Sequence, residues 1–394
     1  MIKKIIYFTE SLLTLRDYDR FGIDIMIRNG FDVEFWDLTE VFCPELNKTI
    51  KDEDRIRFNG NVILKEGELV KKITVIEKEC LIICMLHYGI KTHFIFRELS
   101  RNKLKYCLFF ANALPVFSRK CTFKLSNIIT IIKYCCQMVI SYVKNIYIHI
   151  KQKMSGIKPA SIILAGGEKS IDICRSDPYD SNSKVLWMHT LDYDLYLKEN
   201  CHKEKNDEKL VVFNDEYFPF HPDYLYSGIP APVTAEEYYP ALCKLFNFIE
   251  TKYNKNIVIA AHPRSNYERH PDYFEGRSVI KGKTIELVRK SSAVLLSCST
   301  SVNFAVLYNK PIIFITTKKL NNTWWGMIIE LMAACFNKKP VCIDMEYNLN
   351  WENEMTVRKE MYNKYKNDYI KKNGTEELPF WQIFANYIKM TKIV

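Results

Sequence analysis

No Gly-x-Gly-x-x-Gly follows the first apolar run of this 394-residue chain, and no Gly-x-x-x-x-Gly-Lys-Ser/Thr occurs anywhere. A dehydrogenase with a glycine-rich dinucleotide grip and a P-loop NTPase are therefore set aside. Gly-x-Ser-x-Gly is missing too, which argues against an α/β-hydrolase. The thirteen cysteines are odd in number, scattered, often inside apolar runs (Cys80, Cys84, Cys135, Cys136, Cys298), and form no Cys-x-x-Cys pair. With no signal-like start, that usage reads as reduced, buried thiols of a cytosolic protein. The eight histidines fall at 87, 93, 149, 189, 202, 221, 262 and 270, with neither His-Glu-x-x-His nor a Cys/His cluster, so no metal or other cofactor is expected. With only 13 Gly and 14 Pro, the chain is neither collagenous nor low-complexity.

Acidic residues are absent from Leu99 to Gly167, a stretch that carries eleven Lys and Arg and so accounts for the formal net charge of +10. Inside it, the Ile-, Tyr- and Cys-rich run 128–150 is interrupted by Lys133 and Lys144, far short of the roughly 20 apolar residues of a membrane span. Two readings stand: a basic, largely helical segment lying against a membrane surface, such as the inner-membrane face, or against an anionic acceptor, or a pair of buried-face helices with solvated lysines.

What the chain does have is strand–helix alternation. Ile5–Phe8 reads as a first strand, the residues Phe21 to Ile27 as a helix, and Asp32–Asp37 as a second strand, which together make a βα unit of a parallel sheet. Apolar runs at Cys80–Met85, Leu108–Ala111, Ser161–Ala165 and Val185–Met188 continue it, and the polar run 199–209 reads as a surface loop or domain junction. The pattern then restarts: strand Leu210–Phe213, helix 236–252, strand Ile257–Ala261, helix 284–290, strand Ala293–Cys298, helix 302–308 and strand Pro311–Thr316. Two helical stretches, 353–371 and 379–390, close the chain. The expectation is an α/β protein of two doubly wound domains: 1–205 with the basic segment 99–167, then 206–375, then a C-terminal helix in 376–394.

Ligands of open parallel sheets sit beyond the carboxyl ends of the strands, so the residues just after each strand carry the chemistry. His262-Pro263-Arg264 follows one strand, and an imidazole beside a guanidinium suits a phosphate. Ser299-Thr300-Ser301 follows another, directly before a helix, and offers hydroxyls for the same anion or an ordinary helix cap. Asp215-Glu216 and Asp192 are the carboxylates available to take a proton from an attacking hydroxyl. His189, Asp194, Gly166, Gly167 and His221 fall at the level of the same cleft.

These residues resemble the second half of bacterial GT-B glycosyltransferases, which have two Rossmann-like domains facing across a cleft. The nearest type is that of the CMP-sugar-dependent sialyltransferases and polysialyltransferases of capsule and lipopolysaccharide synthesis. The resemblance covers roughly 185–320 and rests on His262-Pro263-Arg264, Ser299-Thr300-Ser301 and Asn309-Lys310-Pro311-Ile312-Ile313. It implies an inverting transfer of a nonulosonic acid from a CMP-activated donor to a hydroxyl of a glycan or lipid-linked glycan. His262-Pro263 and Ser299–Ser301 would hold the nucleotide phosphate, with Arg264 beside them. His262 or Arg264 would offset charge on the departing CMP, and Asp215 or Asp192 would act as base. The family's acidic-acidic-Gly motif is met only in part, by Asp215-Glu216-Tyr217. A CDP-glycerol or CDP-ribitol polymerase resembles the same arrangement. Asp192-Tyr193-Asp194 is an Asp-x-Asp, which leaves a metal-using UDP- or GDP-sugar enzyme open. A basic nucleic-acid-binding protein is disfavoured, because the basic stretch holds no recognisable module.

Overall fold

The computed structural model describes residues 2–45, 56, 58–115, 139–140, 143, 146–172, 176–199, 206–224, 228–346 and 349–391. Two compact units emerge. The first draws on Met1–Ala113, Ser118–Leu191 and Lys372–Val394, and the second on Leu114–Phe117 and Asp192–Lys371.

Unit 1 is built on β1 (Lys4–Thr9), β2 (Asp32–Asp37), β3 (Asn61–Ile63), β4 (Cys80–Cys84), β5 (Lys105–Phe109), β6 (Ile162–Ala165) and β7 (Lys184–Trp187). All pair parallel, in the order β3-β2-β1-β4-β5-β6-β7. The period-two geometry of a strand explains why Ile5–Phe8 of β1 are all apolar. Ile5 and Tyr7 enter the core on one face of the sheet, and Ile6 and Phe8 the core on the other.

The first of those cores is closed by the helix Phe380–Met390, whose Phe380, Trp381, Phe384 and Ile388 are buried. Their spacing of one, four and eight residues puts them on a single helical stripe. Trp381 Nε1 donates to the Arg20 carbonyl at 2.9 Å. Its ring fills the space that a Cβ on Gly22 would need, and Gly22 is left-handed (φ +56°), so two constraints select glycine there. The last helix of the chain therefore belongs to the first unit.

Unit 2 is built on β8 (Leu210–Asn214), β9 (Asn256–Ala261), β10 (Val279–Lys281), β11 (Ala293–Leu296), β12 (Ile312–Thr316) and β13 (Val341–Cys342). They pair parallel in the order β10-β9-β8-β11-β12-β13. Each sheet thus begins with the 3-2-1-4-5-6 order, with its reversal between β1 and β4 in one and between β8 and β11 in the other.

The division between units falls at Leu191–Asp192, upstream of the expected 205/206. The helix Leu191–Glu199 already sends Tyr193 into the second unit's core, which places the polar run 206–209 inside unit 2. The stretch 353–371 is not one helix. Thr356 Oγ1 turns back onto the Glu352 carbonyl after the short helix Trp351–Glu354, and helicity resumes at Lys359–Tyr365 and widens into a π-helical turn, Lys366–Ile370.

The middle of the basic run, 116–138 with Arg119, Lys120, Lys124 and Lys133, lies outside the described residues, and so does Lys144. Among its described residues, 146–154 are helical; Ile148 is buried in unit 1, while Ile146, Tyr147, Ile150 and Met154 are exposed. No helix among the described residues is long and apolar enough to cross a membrane.

Candidate functional site

The carboxyl edge of the second sheet holds the groups singled out in the sequence, arranged around the end of β8. Because β8 lies between β9 and β11, two successive carboxyls after it serve opposite neighbours. Asp215 turns toward the β9 loop. Its Oδ2 accepts from Tyr267 Oη at 2.7 Å and from the His262 amide at 3.4 Å, and its Oδ1 accepts from the Tyr217 amide at 2.9 Å. Glu216 turns toward the β11 loop, where Oε1 accepts from the Ser297 and Cys298 amides at 2.8 and 3.1 Å.

Both carboxyls are buried. Burial disfavours the charged form and outweighs the hydrogen bonds that lower the pKa, so Asp215 is raised to about 6. Glu216 is raised to about 8 by burial, with the neighbouring Asp215 charge adding to it. Glu216 therefore holds its proton at neutral pH, while Oε1 accepts the two amides. The pair staples three strand ends together. Tyr217, just after it, is held in the left-handed region at φ +55°, a conformation that costs a non-glycine residue free energy.

His262, Pro263 and Arg264 turn away from the end of β9. The Arg264 amide donates to His262 Nδ1 at 3.2 Å, so in the neutral ring the proton sits on Nε2. His221 is fixed likewise, its Nδ1 accepting from the Asp223 amide at 3.2 Å. The two imidazoles pack edge to face with centroids 4.7 Å apart, and the Tyr217 ring lies parallel to His262 at 6.4 Å. Arg264 reaches Asp223 Oδ1 at 3.2 Å. Both partners of that ion pair are about half exposed, so it is worth little and an anion can displace it. Two N–H-bearing imidazoles and a lightly held guanidinium therefore cluster at one strand end.

Ser299, Thr300 and Ser301 follow β11 and are half-buried. Ser301 Oγ accepts from Asn214 Nδ2 at 2.9 Å, which ties this cluster to the end of β8 as Asp215 ties His262. The amides of Val302, Asn303 and Phe304 are already taken by the Ser299, Thr300 and Ser301 carbonyls, and that of Ser301 by Ser299 Oγ. Hydroxyls, more than backbone amides, are what this turn offers. The side chains of Asn214, Glu216 and Ser297 each keep a buried oxygen without a hydrogen-bond partner at this edge (Oδ1, Oε2 and Oγ).

The remaining expected residues are spread over both units. In unit 2, Asp192 is buried and accepts from Asn303 Nδ2 at 3.0 Å, and Asp194 lies two residues on in the same helix. In unit 1, His189 is fully buried with its ring nitrogens 3.0 Å from the Thr190 carbonyl and 2.8 Å from the Leu378 carbonyl, an anchor for the segment entering the last helix. Gly166 and Gly167 are buried after β6, and the Gly166 amide donates to Ser170 Oγ at 3.1 Å. No three His, Cys, Asp or Glu side chains among the described residues form a metal-ligand set.

Sequence reading passed over Tyr267, which caps Asp215 from 52 residues away, and over His87 beyond the end of β4 in unit 1. His87 follows its strand as His262 follows β9, and that position was the available signal.

No protein-family model matches the chain, and no curated protein sequence is similar to it. Among solved structures, the Methanocaldococcus jannaschii UDP-GlcNAc 2-epimerase in complex with UDP-GlcNAc and UDP superposes with a TM-score of 0.50 at 12% identity, over 99% of this chain and 100% of that one. MnaA of S. aureus in a UDP co-structure gives 0.48 at 12% identity, over 99% and 96%. A variant of the wall teichoic acid polymerase TagF gives 0.48 at 10%, over 99% and 88%. The likeness to the first, over the whole length of both chains, agrees with two parallel sheets that each reverse after their first strand: the chain has the GT-B fold.

Proposed function

We propose that the chain is a nucleotide-sugar-dependent glycosyltransferase whose donor phosphate rests at the carboxyl edge of unit 2. The observation that carries this reading is the clustering of His262, His221 and Arg264 beside the same strand end that Asn214 links to Ser301. Nε2–H of His262 and the Arg264 fork donate to phosphate oxygens, with the Ser299–Ser301 hydroxyls as further partners. As the bond to the sugar breaks, negative charge grows on the departing phosphate, and those donors stabilise it where it develops. Asp215 and Glu216 keep the donors in place.

Within this reading, the resemblance of the site residues to CMP-sugar enzymes favours a CMP-activated nonulosonic acid as donor and a surface glycan as acceptor, transferred with inversion. The alternative is a UDP-sugar substrate, which the fold neighbour bound to UDP-GlcNAc and UDP favours.

Thermal unfolding with CMP, CDP, UDP and GDP separates these readings, since a ligand at 100 times its Kd stabilises by about 2.7 kcal/mol. Stabilisation by CMP supports the nonulosonate donor, by UDP the UDP-sugar reading, and by CDP a polyol-phosphate donor. His262→Ala and Arg264→Ala erase most of whichever shift is seen. Absence of any shift removes the proposal.

A further inference from the structure

The helical residues 146–154 of unit 1 are anchored on one side and apolar on the other. Ile148 and Gln152, one turn apart, are both buried in the unit. Ile148 joins the core on one face of the sheet, and Gln152 Nε2 donates to the Ser176 carbonyl at 2.6 Å. Just past the helix, Ser155 Oγ lies 3.3 Å from His93 Nε2, and Gly156 ends the turn in the left-handed region at φ +62°. These ties fix the rotation of the helix about its own axis, so its other face stays turned outward.

That outward face consists of Ile146, Tyr147, Ile150 and Met154, all exposed, Met154 to 84%. At about 100° per residue the four fall within an arc of about 100°, opposite Ile148 and Gln152. Val139, Ile140 and Val143 are helical and exposed too, and each precedes one of the four by seven residues, close to two helical turns. A helix that only packed on the sheet would turn its apolar stripe inward. Here the stripe is left to water, as the surface of a monomer rarely leaves one.

Charge indicates what covers it. By the same geometry Lys153 borders the stripe on one side and Lys151 on the other, the first exposed and the second half-buried. No Asp or Glu accompanies the eleven Lys and Arg of 99–167. A second copy laid along the stripe would set lysine against lysine, with no carboxylate from this segment to pair with either. An anionic bilayer surface meets both features, since it takes the apolar side chains below its headgroups and the lysines among them.

We propose that this helix docks unit 1 on an anionic membrane surface, lying in the plane of the interface with Ile146, Tyr147, Ile150 and Met154 inserted. The inference is independent of the nucleotide-sugar reading, because it concerns a surface of unit 1 and needs no transfer activity.

The test mixes the full chain with phosphatidylcholine vesicles made with and without phosphatidylserine. The wild type is expected to bind the phosphatidylserine vesicles alone, and less as salt is raised. Tyr147→Trp then gives an added fluorescence that shifts to the blue and is shielded from acrylamide on binding, measured as the difference from wild type. Tyr147→Asp with Met154→Asp abolishes binding. Lys151→Gln with Lys153→Gln weakens it by about 25-fold, about fivefold for each lysine. The nucleotide-induced thermal shift stays at its wild-type size in every variant, which separates loss of docking from loss of fold. No binding at low salt, equal binding to both kinds of vesicle, or an unshifted signal from bound Tyr147→Trp each overturns the proposal. A wild type that sediments as a dimer, when the Tyr147→Asp with Met154→Asp variant sediments as a monomer, gives the stripe to a second copy and overturns it as well.

Discussion

Replacing Glu216 by glutamine separates this side chain's charge from its hydrogen bonds. Glutamine keeps an Oε1 for the Ser297 and Cys298 amides and puts an NH2 where the carboxyl has Oε2, an atom that has no partner in the native site. The only large change is that the side chain can no longer ionise. In the wild type the folded state holds this proton up to about pH 8, whereas the unfolded chain releases it near the ordinary 4.5. Between those values the folded state binds more protons than the unfolded one, so this carboxyl makes stability fall as pH rises. At about 1.4 kcal/mol per pH unit the full loss is about 5 kcal/mol, of which about 3 kcal/mol lies between pH 5.5 and 8.5. Asp215 falls in the same direction through about pH 6, but it is common to both proteins and largely cancels in the comparison. Urea unfolding followed by tryptophan fluorescence at the two pH values is the assay, with Trp324 and Trp325 reporting on unit 2. The variant is expected close to wild type at pH 5.5 and about 3 kcal/mol more stable relative to it at pH 8.5. An equal difference at both pH values would show that Glu216 is already ionised in the fold and would refute the reasoning from burial.

Three other outcomes are expected. Trp381→Ala removes the ring packed on Gly22 and the bond to Arg20, and costs unit 1 about 3–5 kcal/mol by denaturant unfolding. Arg277→Ala strips the partner from Glu250, which the guanidinium meets at 2.6 Å while lying over the Phe246 ring, and costs unit 2 about 3 kcal/mol in the same assay. If the basic stretch rests on anionic lipid, the protein cosediments with phosphatidylserine vesicles at low salt, and Ile146→Asp with Ile150→Asp abolishes this; equal sedimentation with neutral vesicles counts against it.

The strands of both sheets were largely legible residue by residue. Ile5–Phe8 and Ile257–Ala261 are apolar because strands covered on both faces alternate between two cores, Val185–Met188 reads as a strand although it is a half-buried edge, and the structure places β1, β9 and β7 there within a residue or two at each end. The edge strands β3, β10 and β13 left no comparable mark, since each has only two or three residues, partly exposed, and short alternation does not stand out from a loop. Among the site residues, the position of His262 and Arg264 after a strand was readable, because a ligand position in a parallel sheet follows from strand ends. The roles of Asp215 and Glu216 were not, since two adjacent carboxyls look alike in sequence until their strand is known to lie between two others.

Local periodicity determined that this chain makes parallel sheets wound with helices, and where most strands stop. Side-chain alternation and helical spacing act over a few residues, so they are written in the chain itself. Tertiary structure alone decided that the last helix returns to the first unit, that the units divide at Leu191–Asp192, and that Asp177 meets His87 across 90 positions. Those outcomes depend on which surfaces are left to be covered once the sheets have formed, a question of packing between distant segments that no short window of residues contains.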